Sequence, residues 1–265
     1  MYLLGRMIGH ILFLLIVVPM RAIYGAKRLD IYDDQILEDL KNRSFIIVSN
    51  HILPKSRFLR AISMPYDSYL LRRMFLKHDI KVTAFTSIDS LQRPRSKLQG
   101  FWMHSMKEPL MKGLVVSLDL IPLNRRVHDN ATQRDLRQRL DKGGIAVGIF
   151  PEGTMFTSFS TTRKLHAGMG VYAKRYDLPV LPVYLHAYNT SQPMFIRVGQ
   201  LIAADTQKDE IVKLVRTQWN TLAAMGAQSD DSVADGSLGD ESRSDSQPAV
   251  PVTASKKSTP NSKVA

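Results

Sequence analysis

Three short segments place reactive side chains just past apolar runs. Asn50-His51 follows Ser44-Phe45-Ile46-Ile47-Val48-Ser49, Leu123-Asn124-Arg125-Arg126 follows Val115 to Pro122, and Pro151-Glu152-Gly153-Thr154 follows Ile145 to Phe150. A histidine titrates near neutrality, so His51 suits a general base. The guanidinium forks of Arg125 and Arg126 match phosphate oxygens. Gly153 lets a ligand approach the backbone and Thr154 offers a hydroxyl. Glu152 is a charge that a turn alone does not need. Each feature has a plainer explanation when taken alone: a loop histidine, a solvated arginine pair, a tight turn. Together they put a base, a phosphate clamp and a polar turn at one end of one sheet.

The elements that must hold these residues alternate. Short β-rich runs at 44–49, 81–86, 115–122, 145–150, 180–186 and 194–198 predict strands. Helical patterns cover 31–43, 56–78 (interrupted near Pro65), 97–113, 131–141, 165–175 and 209–225. Such alternation predicts an α/β fold: a mixed, largely parallel sheet flanked by helices. Open sheets of this kind bind ligands at the carboxyl ends of their strands, where all three segments fall.

The chain carries a formal net charge of +12 over 265 residues. Its last segment, from Ser229, holds six acids and four bases, so the preceding body is at +14. A body that basic attracts phosphorylated substrates or an anionic membrane surface. Nucleic acid is not expected, because no recognition module is visible and the bases are scattered. With no cysteine, a thiol nucleophile and a cysteine zinc site are excluded. No other metal cluster is evident. Met7 to Met20 is an apolar run flanked by Arg6 and Arg21. It is shorter than the ~20 residues a spanning helix needs, so the expectation is a helix in or on the membrane interface. A buried core helix and a cleaved signal peptide are its rivals. From residue 228 onward Ser, Asp, Gly, Pro and Lys dominate, which predicts disorder. The expected organisation is therefore a membrane-associating segment over 1–30, a catalytic domain over 31–227 and a disordered tail over 228–265. The expected location is the cytoplasmic face of the cell membrane.

The order of these pieces resembles the glycerophospholipid acyltransferase family, the 1-acylglycerol-3-phosphate acyltransferases and their relatives. The resemblance rests on Asn50-His51, on Pro122-Leu123-Asn124-Arg125-Arg126, on Phe150 to Thr154 and on Leu181-Pro182-Val183. It covers roughly residues 40–200. It implies direct transfer of an acyl group from acyl-CoA or acyl carrier protein to a hydroxyl of a lysophospholipid or glycerol-phosphate acceptor. The first acceptor to consider is 1-acylglycerol-3-phosphate, which gives phosphatidic acid. His51 is then the general base. Arg125 or Arg126 holds the acceptor phosphate, and Glu152, Gly153 and Thr154 help bind the acceptor. No cofactor is implied beyond the thioester co-substrate. The implied partners are the membrane phospholipid surface, the two substrates and, for one donor form, acyl carrier protein.

Two departures from the family pattern stand out. The acid that orients the histidine usually lies a few residues beyond it, but that place is Ser56 here. Asp67 is the substitute, if the stretch from Ile52 to Met64 contains an insertion that loops out. Ser56 as a weak partner, or no partner at all, are the other arrangements. The third motif is followed by Met155 where the family usually has Arg, and His166 takes a later basic position. Arg163 or Lys164 then joins the candidates for phosphate binding. These departures keep open an alternative, a catalytically impaired member that only binds lipid. The pairs His104 with Glu108 and His128 with Asp129 read as solvated surface, and Asp89 as a turn residue.

Overall fold

The computed structural model describes residues 28–55, 66–87, 115, 119–123, 130–189 and 192–226. The apolar run 7–20, Ser56, the helix expected over 97–113, Arg125, Arg126 and the tail lie outside the described residues. Among the described residues no helix is long and apolar enough to cross a membrane.

The chain runs β1 (Leu29–Tyr32), α1 (Ile36–Leu40), β2 (Phe45–Ser49), α2 (Tyr66–Lys77), β3 (Lys81–Ser87), β4 (Ile121–Leu123), α3 (Asn130–Leu140), β5 (Ile145–Ile149), α4 (Gly168–Tyr176), β6 (Val180–His186), β7 (Met194–Val198) and α5 (Lys208–Ala224). The strands form one seven-stranded sheet in the order β1-β7-β6-β2-β5-β3-β4. Its strand pairings are parallel except β6 with β7. The fold is thus the expected α/β architecture with a mostly parallel sheet.

β2 explains how the sheet is covered. All five of its residues are buried, as the unbroken apolar run of a strand covered on both faces requires. Its side chains alternate between two cores. Phe45 and Ile47 pack with Leu37 and Leu40 of α1 and with Leu70, Met74 and Phe75 of α2. Ile46 and Val48 pack with Met169 and Ala173 of α4 and with Ile211, Val215 and Trp219 of α5. Burying each such side chain stabilises the fold by roughly 1.5–3 kcal/mol. The apolar residues of α5 recur at Ile211, Val215, Trp219 and Leu222, a stripe along one helical face. α4 meets α5 at Gly170, where a Cβ would stand 2.7 Å from the Lys208 carbonyl oxygen.

Two elements differ from expectation. The segment 31–43 is not one helix: Leu29–Tyr32 is an edge strand on β7, and only Ile36–Leu40 is helical. Asp33, at φ +63°, turns the chain between them. The strand expected over 115–122 starts later, at Ile121. Val115 is helical, its carbonyl accepts from the Leu120 N–H, and Asp119 turns at φ +54°. A short apolar run carries no period that separates strand from buried helix.

Candidate active site

β2 lies between β5 and β6, and all three run in the same direction. Their outgoing loops therefore emerge side by side, and these are the loops of Asn50-His51, Glu152-Gly153-Thr154 and Tyr188. The first two are laced together beyond the strands. The Phe156 N–H donates to the His51 carbonyl at 3.0 Å, and the Leu53 N–H donates to the Phe156 carbonyl at 2.7 Å. Ile52 and Phe156 form a parallel bridge.

His51 is held from several sides. Its Nδ1 lies 2.5 Å from Asp67 Oδ2. A carboxylate only accepts, so Nδ1 carries the proton in this contact. The same Asp67 oxygen accepts the Ile52 N–H at 2.8 Å, and Oδ1 accepts the Ser68 N–H at 2.7 Å. Asp67 is fully buried, whereas the His51 side chain keeps 19% of its surface exposed. The imidazole stacks on Phe150 with ring centroids 4.2 Å apart. Nε2 has no hydrogen-bond partner among the described residues. The ring is thus aimed, fixed in one tautomer and open at one nitrogen. Asp67 reaches it because α2 begins right after Pro65, which brings the first turn of the helix to the end of β2.

Asn50 is wholly occupied. Its Nδ2 donates to the Leu185 carbonyl at 2.9 Å and to the Tyr188 hydroxyl at 3.0 Å, while Oδ1 accepts the Leu185 N–H at 2.8 Å. This side chain ties the end of β2 to the end of β6. Burial pushes the Tyr188 hydroxyl up to about 12, so it stays protonated at neutral pH. Burial likewise raises Tyr184, and burial together with Lys55 lowers His186.

In the third-motif turn, Gly153 sits at φ +70°, and a Cβ there would stand 3.2 Å from the His166 ring. Glycine is needed for both reasons. Thr154 is exposed. Glu152 behaves otherwise than a substrate contact. Its side chain is 1% exposed and both oxygens are engaged within the protein. Oε2 accepts the His51 backbone N–H at 2.6 Å, and Oε1 accepts from Arg163 Nη1 at 2.6 Å.

The structure therefore brings His51, Asp67 and Glu152 together, with Gly153 and Thr154 on the same loop. Arg125 and Arg126 lie outside the described residues. The strand before them, β4, is separated from β2 by β5 and β3, or about 14 Å at ordinary strand spacing. Sequence reasoning missed Tyr188 and the stacking role of Phe150, because a buried aromatic at a strand end reads as packing. It weighed Arg163 only for phosphate. Among the described residues, no group of three or more His, Asp or Glu side chains could hold a metal ion.

An imidazole oriented by a buried carboxylate, with Nε2 open at a strand end, can take a proton from a hydroxyl. A model of the Acyltransferase family matches residues 32–186, which is more than half of the chain. The protein belongs to that family, which includes the glycerophospholipid acyltransferases. No curated protein matches the chain.

Proposed function

We propose that this acyltransferase works at a membrane surface and esterifies a lysophospholipid or glycerol-phosphate acceptor, with 1-acylglycerol-3-phosphate as the assigned acceptor and phosphatidic acid as product. The donor is the thioester of acyl-CoA or acyl carrier protein. The observation that carries this reading is the His51–Asp67 contact, with Nε2 unpartnered among the described residues. Nε2 takes the proton of the acceptor hydroxyl as that oxygen attacks the thioester carbonyl. The C–O bond forms, the C–S bond breaks, and the imidazolium returns the proton to the leaving thiolate. Asp67 stabilises the imidazolium while it exists. A base so placed contributes about 10²–10⁴-fold.

Arg125 or Arg126 binds the acceptor phosphate, and Gly153 and Thr154 line the path of the acceptor. The +14 body and the apolar run 7–20 support a substrate drawn from a bilayer. The impaired, lipid-binding alternative draws on the absence of an acid at the usual spacing and on Met155 after the third motif. Asp67, 2.5 Å from Nδ1, speaks against the first of these.

The test is purified protein with lysophosphatidic acid, glycerol 3-phosphate and other lysolipids, each with acyl-CoA and acyl carrier protein donors, beside a His51→Ala variant. Ester formation on a phosphorylated acceptor that disappears in the variant is expected. Transfer that survives His51→Ala, or none on any pair, would overturn the assignment.

A further inference from the structure

One guanidinium touches the carboxylate that holds the His51 backbone. Arg163 Nη1 donates to Glu152 Oε1 at 2.6 Å, and the other oxygen of Glu152 accepts the His51 backbone N–H at 2.6 Å. Nη2 donates to the Ser158 carbonyl at 2.9 Å, and the guanidinium carbon lies 3.6 Å from the centroid of the Phe156 ring. Phe156 is the residue whose backbone brackets His51 from the other side.

We propose that Arg163 is a positioning residue for His51, acting through Glu152. The activity arm of this inference rests on the acyltransferase reading above; its structural arm does not. The guanidinium reaches across from the loop that follows the third motif and is only 13% exposed on its side chain. Its edge and one face are engaged by protein, which leaves it poorly placed to clamp a substrate phosphate. A planar fork can serve Glu152 and Ser158 at once, whereas an ammonium is a point charge. Without the guanidinium, Glu152 is a buried carboxylate lacking its counter-ion, an arrangement that favours its turning toward water and releasing the His51 N–H. A shift of about 1 Å in a reacting group costs on the order of 10²-fold in rate.

The experiment compares full-length wild type with Arg163→Ala and Arg163→Lys by two measurements. The first is steady-state acyl transfer to lysophosphatidic acid. For Arg163→Ala, kcat is expected to fall about 10- to 10²-fold, with KM for the acceptor within about twofold. Arg163→Lys recovers part of the loss. Millimolar guanidinium also restores part of it in Arg163→Ala, because the side chain removed borders a surface recess that it shares with Glu152, Arg216 and Trp219. The second measurement is the proton NMR signal of the His51 Nδ1–H in substrate-free protein, which shifts or broadens in the variant. A raised KM with unchanged kcat would make Arg163 a substrate clamp and overturn the inference. So would an unmoved Nδ1–H signal. If wild type transfers no acyl group, the functional reading fails while the NMR signal still decides this one. If Arg163→Ala does not fold, Arg163→Lys carries both measurements.

Discussion

His51 and His78 both face carboxylates, and they are built for opposite ends. His51 gives one nitrogen to a fully buried Asp67, and its other nitrogen has no hydrogen-bond partner among the described residues. His78 gives both: Nδ1 lies 2.8 Å from Glu38 Oε1 and Nε2 lies 3.0 Å from Asp34 Oδ2. Glu38 is mostly exposed and Asp34 partly so. His78 therefore straps the turn after α2 to the region of α1, beside a Lys41–Asp79 pair at 2.8 Å. A histidine with both nitrogens committed has no site from which to move a substrate proton. On the proposed function, the difference between a base and a strap is one nitrogen without a partner among the described residues and the burial of the carboxylate behind the other.

The sharpest way to break this contrast is to remove each ring. His51→Ala is expected to lose acyl transfer by about 10²–10⁴-fold, while His78→Ala stays within about twofold, as measured by product formation. Equal losses would erase the distinction. Next, Asp67→Asn keeps an acceptor for the Ile52 N–H but favours the wrong imidazole tautomer, so kcat should drop about 10²–10⁴-fold. A smaller effect belongs to stability. His78→Ala should cost about 0.2–1 kcal/mol for each of the two partly exposed ion pairs that it removes, read by urea denaturation. The smallest effect is alkaline. The folded state holds the Tyr188 proton up to about 12, whereas the unfolded chain releases it near 10.0. Stability contributed by this group is full below pH 10.0 and declines as pH rises toward 12. Tyr188→Phe should flatten that decline in denaturation curves taken at about pH 9 and about pH 11. An unchanged slope would remove Tyr188 from the account.

What the sequence discloses depends on the range of the contact. The strand over 44–49 and the turn at Gly153 are local, and hydrophobic run and glycine both show in the chain. The meeting of His51 with Asp67 is less local. It needs the residues between them to fold back, and nothing in their spacing fixes where α2 begins except Pro65. The roles of Glu152 and Arg163 are less legible still. A carboxylate after a strand looks like a ligand for substrate, and only its burial and the position of the His51 N–H reveal an internal task. β1 is hidden for a related reason: four residues of alternating pattern before a polar segment are too few to separate an edge strand from the start of a helix. Its partner, β7, lies at the opposite end of the domain sequence.

That last pairing bears on how the chain is born. Leu29 aligns with Met194 and Tyr32 with Arg197, so the first strand of the sheet has no neighbour until the last strand, β7, has left the ribosome. At ordinary rates of synthesis the wait is roughly 8–30 s. Through that interval β1 is an unpaired edge with open N–H and C=O groups. A nascent chain halted before Met194 would carry it exposed, and completion of β7 is the event that closes the sheet.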